Sequence, residues 1–263
     1  MRTIVAIVRC SHPEPVVVVT AVAGALALTA GRGAGTVWVV LAILAGQLYV
    51  GWSNDFLDRN RDRVAGRRDK PIASDAVGAR VVGVAAIIAL VLAVPLSLAS
   101  GVAAALVHLV ALASATAYNL GLKRTLLSAV PYAISFALVP AFVTLGLAHP
   151  HWPPPWVMLA AGFIGVGGHF AQSRPDISSD RMQGAIGLPQ LAGERASAVL
   201  AAVLLALGAI VIALGSRSLV PLIAVLPLPV VVFARPVAAY RLTLLIALLT
   251  VGAFLLNGGS LAG

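Results

Sequence analysis

Residues 77–99 read VGARVVGVAAIIALVLAVPLSLA, an apolar run in which Arg80 is the one charge, and residues 54–71 just upstream read NDFLDRNRDRVAGRRDKP. The first stretch is long enough to cross the hydrocarbon layer of a bilayer, which takes about 20 residues of helix. Working outward from it, similar runs recur at roughly 15–31, 36–53, 102–120, 126–148, 156–173, 196–214, 219–234 and 237–256. A backbone in lipid must satisfy its hydrogen bonds within its own segment, so these runs are expected to be helices. The alternating pattern of outer-membrane strands is absent. With 60% apolar and 10% charged residues, the chain is far from a soluble domain, where about a quarter of residues are charged. The expected fold is all-α: one polytopic membrane bundle of about nine transmembrane helices over residues 1–263. Pro95, Pro131, Pro140, Pro221, Pro227 and Pro229 lie in or beside these runs, so kinks or breaks are expected there.

The net charge of +9 does not point to nucleic acid, because the bases sit in short loops between apolar runs. If each run crosses once and the N-terminus is cytoplasmic, 16 of the 18 basic residues fall on that side, leaving only Arg32 and Arg217 outside. That asymmetry is the positive-inside pattern, and it supports a multi-pass protein of the cell membrane. Cys10 stands alone, which excludes an intrachain disulfide and a multi-cysteine metal site. The N-terminal apolar run is short and soon followed by charge and proline, unlike a cleavable signal.

The second quoted stretch breaks this apolar chain. Five of the nine acids lie between residues 54 and 75, among arginines. Asp58-x-x-x-Asp62-Arg63-x-x-Gly66, with Pro71 five residues on, is repeated as Asp176-x-x-x-Asp180-Arg181-x-x-Gly184, with Pro189 five residues on. The two copies form an internal pseudo-repeat over 54–71 and 176–189. They are separated by an even number of runs, so both are expected on the cytoplasmic side. On a helix, Asn54, Asp58 and Asp62 follow at four-residue steps on one face, with Asp55 beside them; Asp176 and Asp180 are spaced likewise. Carboxylates brought together near a membrane repel unless a cation sits between them. Mg²⁺ suits oxygen ligands and commonly binds through one or two carboxylates plus substrate phosphates. Asn54, Asp58, Asp62, Asp176 and Asp180 are therefore the candidate metal ligands. Asp58, Asp62, Asp176 and Asp180 are also the candidate catalytic set. Arg67, Arg68 and Lys70 are placed to neutralise a phosphate-bearing ligand. Arg59, Arg61 and Arg80 read as ordinary loop charges.

A diphosphate attached to something that lives in a bilayer points to a prenyl diphosphate. Its head would meet metal and bases, and apolar helices would shield the departing allylic cation from water. The acceptor is left open as a hydrophobic, lipid-like or aromatic molecule. A terpene cyclase using the same site, and transfer of a sugar phosphate to a polyprenyl phosphate, are alternatives. A cation transporter fits less well, because its acids would lie near mid-membrane rather than beside arginines at helix ends.

N-D-x-x-D-x-x-x-D at 54–62, with R-x-x-K-P-I-A-S at 67–74, resembles the first aspartate motif of the UbiA superfamily of intramembrane prenyltransferases. D-x-x-x-D at 176–180, with G-x-x-x-L-P at 184–189, is similar to the second. The resemblance covers nearly the whole chain. It implies Mg²⁺-dependent prenyl transfer, with Asn54, Asp55, Asp58, Asp62, Asp176 and Asp180 holding a metal–diphosphate complex. It further implies diphosphate contacts from Tyr118, Asn119 and Lys123. Gln172, Ser173 and Arg174 replace an acid or lysine often found before the second motif, and Gly187 stands where threonine is common. His169 is a candidate base for an acceptor hydroxyl, against a plain packing role. His108 is assigned no role, and His149 and His151 are expected in a loop on the far side.

Overall fold

The structure, a computed structural model, describes residues 2–259 and residue 261. Among these the chain forms twelve α-helices and no strand: α1 (Arg2–Cys10), α2 (Pro13–Thr29), α3 (Thr36–Val64), α4 (Ala79–Leu98), α5 (Val102–Leu120), α6 (Val130–Thr144), α7 (Pro155–Ser173), α8 (Ile177–Met182), α9 (Leu188–Ala192), α10 (Glu194–Ser216), α11 (Leu228–Phe233) and α12 (Pro236–Leu256). Short 3₁₀ turns lie at Gly33–Gly35, Leu122–Arg124, Arg174–Asp176 and Val220–Val225.

Every expected run falls on helix, but the count of nine full-length spans is not reached. Five helices among the described residues (α3, α4, α5, α10 and α12) are long and apolar enough to cross a membrane, and α1 with α2 makes a sixth if that pair, bent by 62°, is one span. The shortfall has local causes. The run at 126–148 yields only Val130–Thr144, because residues 122–129 are spent on turns. At 219–234, Pro227 and Pro229 divide a 3₁₀ segment from α11. Glycines, His169 and Gln172 dilute the hydropathy of α7. The protein is an integral, multi-pass membrane protein.

The helices pack in chain order, α2 on α3 and so on to α6 on α7, then α7 on α10, α10 on α11 and α11 on α12, and α12 returns to α2 to close a ring. Arg241 of α12 donates through Nε to Glu14 Oε1 of α2 at 2.9 Å, with Nη2 2.8 Å from the same oxygen, an ion pair that ties that closure at one end. Small residues let the helices approach: Ala23, Ala27, Ala42, Ala160 and Ala202 lie at the shared core. At the N-terminal elbow His12 adopts a left-handed conformation (φ 56°), and the Trp52 indole donates to the Ile7 carbonyl at 2.9 Å. Gly51 faces the Ser11 backbone so closely that a Cβ would collide with its carbonyl.

The two copies of the acidic motif end their helices in the same way. Gly66 (φ 66°) and Gly184 (φ 69°) both take the left-handed region, and the next amide donates back to the aspartate carbonyl: Arg67 N to Asp62 O at 3.0 Å, Ala185 N to Asp180 O at 2.9 Å. This is the αL cap that ends many helices, and it explains why glycine stands four residues after the second aspartate in each copy.

Candidate active site

α3 does not stop where its apolar stretch ends. It continues for three more turns through the first motif, so Asn54, Asp58 and Asp62 project from one face into the ring. Across from them Pro175 turns the chain after α7 through a 3₁₀ step, and α8 then carries Asp180 one turn beyond Asp176. All five residues line one mouth at the same end of the ring, together with Arg61, Arg67, Lys70, Tyr118, Asn119, Lys123 and Arg124.

Two arginines of the first motif reach the second. Arg61 Nη2 lies 3.1 Å from Asp58 Oδ2 and 3.9 Å from Asp180 Oδ1, so the two carboxylates are at most about 7 Å apart. Arg67 Nη1 lies 3.0 Å from Asp176 Oδ1, while its other nitrogens grip Asp69. Lys123 Nζ donates to Asp58 Oδ2 at 2.5 Å, and Arg124 Nη2 stands 3.7 Å from Asp58 Oδ1. Asn54 donates to Asn119 Oδ1 at 3.0 Å, and Asn119 in turn donates to Ser53 Oγ and the Val50 carbonyl. Asp180 accepts from the Gln190 amide at 2.8 Å. The Asp62 carboxylate, 5% exposed, has no hydrogen bond or ion pair with any described side chain.

The titrating groups outside the spans reflect this crowding. Burial would lower the Lys70 pKa, but Asp55, Asp62 and Asp176 outweigh it and the net shift is upward. For Lys123 burial wins over Asp58 and the net shift is downward. Burial, then the neighbouring Asp176, raises Asp180 above the usual carboxylate range.

Two candidates fall elsewhere. Asp55, one residue on from Asn54, is turned by about 100° around α3 and faces the elbow instead of the mouth. There it accepts from Lys70 at 2.8 Å and pairs with His12 Nε2 at 3.0 Å, at 2% exposure. It can act on a ligand only through those two neighbours, both of which line the mouth. Arg68 is exposed on the turn after α3, outside the lining, because the cap at Gly66 sends only Arg67 inward. His169 is buried behind the wall: Nε2 meets Ser128 Oγ at 3.1 Å and its ring stacks on Tyr132 (centroids 4.6 Å), the packing role. His108 packs on Phe142 and pairs with Ser97 Oγ at 2.7 Å; His149 and His151 lie in the loop between α6 and α7.

Other lining residues escaped the reading of the chain. Arg61 sits three residues after Asp58, a spacing that shares a helix face and carried the signal. Arg124, Gln190, Tyr132 and the elbow residues Ser11 and His12 had none, since only folding brings them to α3.

Above the mouth lies an apolar chamber between α2, α6, α7 and α12. The two share Pro15, Val19, Tyr132, Phe136 and Gln172 as walls, so charged groups give way directly to hydrocarbon.

No curated protein sequence gives a significant match to the chain. Among solved structures, an apo UbiA homologue from Aeropyrum pernix K1 superposes with a TM-score of 0.76 at 17% identity, covering 93% of this chain and 98% of that one. A UbiA homologue from Archaeoglobus fulgidus bound to GPP and Mg²⁺ gives 0.72 at 17%, covering 97% and 99%. A digeranylgeranylglyceryl phosphate synthase gives 0.70 at 15%, covering 98% and 99%. These likenesses establish the fold. The model of the UbiA prenyltransferase family matches residues 17–257, almost the whole chain, and the protein is therefore a member of the UbiA prenyltransferase family of membrane enzymes.

Proposed function

We propose that the protein transfers a prenyl group from a prenyl diphosphate to a hydrophobic or aromatic acceptor with Mg²⁺, its mouth and N-terminus facing the cytoplasm. The observation that carries this reading is the direct junction of a mouth of mixed charge with an apolar chamber. A diphosphate head and a hydrocarbon tail need those two surroundings side by side.

Magnesium fits the residues present. The candidate ligands beside Asp62 offer oxygens, and Asp62 itself brings a buried carboxylate to which no described side chain hydrogen-bonds. Among the described residues no three His, Cys, Asp or Glu side chains form a ready-made cage. That suits an ion which takes a few carboxylates and completes its shell with substrate phosphates. Asn54, Asp58, Asp62, Asp176 and Asp180 would hold it, and when bound it supplies Lewis acidity to the diphosphate oxygens.

The chain's own groups do the rest. Arg61, Arg67, Lys70, Lys123 and Arg124 donate to the diphosphate and stabilise the charge that grows on it. Asn119 holds Asn54 in place, and Asp55 holds Lys70. The C1–O bond breaks and its electron pair leaves with the diphosphate. The acceptor gives an electron pair to C1 and releases one proton through the polar mouth. Val19, Phe136 and Ile164 keep water from the allylic carbon meanwhile.

The test is product analysis by mass spectrometry of protein in lipid vesicles, given prenyl diphosphates and a panel of phenolic and lipid acceptors. The expected result is a prenylated acceptor, lost on chelation and restored by Mg²⁺. A cyclic hydrocarbon or alcohol formed without acceptor would make the enzyme a terpene cyclase. Turnover unaffected by chelation would remove the metal from the reading.

A further inference from the structure

We propose that Trp156 and Phe254 form a floor to the apolar chamber that limits how long a prenyl chain the enzyme accepts; this rests on the function proposed above. The chamber runs away from the charged mouth along a stripe of α7, Gln172, Gly168, Ile164, Ala160 and Trp156, spaced four residues apart on one helix face. Gly168 and Ala160 leave space. At Trp156, in the first turn of α7, the stripe ends in the largest side chain of all.

The indole is held from two directions. Its ring meets Phe254 edge to face, centroids 5.9 Å apart at 88°. On α10 it presses on Gly215, where an added Cβ would overlap the ring. Phe254 is itself 4% exposed and backed by Gly259, where a Cβ would strike the phenyl ring. These aromatics belong to the far ends of α7 and α12, opposite the mouth, and both line the chamber. A residue that merely filled the core would not combine a bulky ring, a glycine cleared for it and a place in the cavity wall.

The length of the chamber gives the limit. The stripe from Gln172 to Trp156 covers 16 residues of α7, about 24 Å of helix axis. With carbon–carbon bonds of about 1.5 Å, one extended isoprene repeat of four bonds spans roughly 5 Å. A tail seated with its head at the mouth therefore meets the floor after about four to five repeats. Rejecting even one methylene in an apolar pocket changes kcat/KM by roughly 10–200-fold, so a whole repeat pressed against a rigid floor is strongly discriminated.

The experiment compares kcat/KM for prenyl diphosphates of two, four and six isoprene units in the wild type, Trp156→Ala and Gly215→Ala. Trp156→Ala opens the floor and should raise the six-to-four ratio about tenfold or more. Gly215→Ala drives the indole into the chamber and should lower the four-to-two ratio by a similar factor. Phe254→Leu serves as a second opening variant should Trp156→Ala not fold, as judged by gel filtration and melting temperature. Active variants with ratios equal to wild type would overturn the floor, placing the tail's end elsewhere, and leave the transferase reading intact. A folded wild type that uses no prenyl diphosphate of any length would overturn both.

Discussion

Asp62→Asn is expected to lower turnover by about 10²–10³-fold while leaving the melting temperature unchanged or slightly raised. The two halves of this expectation have one origin. Asp62 is buried and no described side chain hydrogen-bonds to it or forms an ion pair with it, so in the free protein the cost of its burial outweighs the longer-range attraction of Lys70 and Arg61. Removing that charge relieves a cost in folding. In the proposed reaction the same carboxylate would be a ligand for the metal–diphosphate complex, and its loss would strike the transition state. Parallel measurement of kcat and of thermal unfolding in detergent checks it. An Asp62→Asn protein with near wild-type turnover, or one that no longer folds, would contradict this assignment.

Asp58 should behave in the opposite way on stability. Its carboxylate, 7% exposed, is shared by Lys123, Arg61 and Arg124, with the Lys123 side chain only 8% exposed. Asp58→Ala strands three cations beside one another. It should therefore abolish turnover and also cost about 3–5 kcal/mol in stability, the range for breaking a buried pair by removing one partner. Lys123→Ala should cost less, because Asp58 keeps Arg61 at 3.1 Å. In a double-mutant cycle the double variant should lose less stability than the two single losses combined, showing that the pair is coupled. Chemical unfolding of the four proteins gives the answer, and additive losses would show that Asp58 and Lys123 act independently.

The contrast between neighbouring aspartates marks how far the chain could be read before folding. The face shared by Asn54, Asp58 and Asp62 followed from four-residue spacing, and α3 does carry the motif as helix. The convergence of both motifs on one end of the bundle followed instead from the even number of runs between them. Arg61 reads as a loop charge although its spacing from Asp58 gives it the same face. Adjacency to Asn54 points Asp55 to the mouth, whereas a helix turns successive residues apart by about 100°. What lies beyond reach is contact between distant elements. His12 meets Asp55 across 43 residues only because the chain bends at a left-handed residue before α2. The floor is invisible too, since no local pattern sets Trp156, Gly215 and Phe254 side by side. The prolines at 219–234 foretold a break, and the span count failed where turns and glycines shortened or diluted the helices.

The bridge made by Arg61 has a thermodynamic consequence. Four carboxylates and five cations face the mouth, and they already neutralise one another across it. A bare dication arrives at a rim with a slight positive excess, and a bare polyanion arrives among aspartates. Neither is well received by itself, whereas the pair can exchange partners with the resident ions at little net charge. Under the proposed function each guest would raise the affinity for the other by an identical factor, as reciprocity requires. Synergy between the two would then follow from the charges the rim already carries.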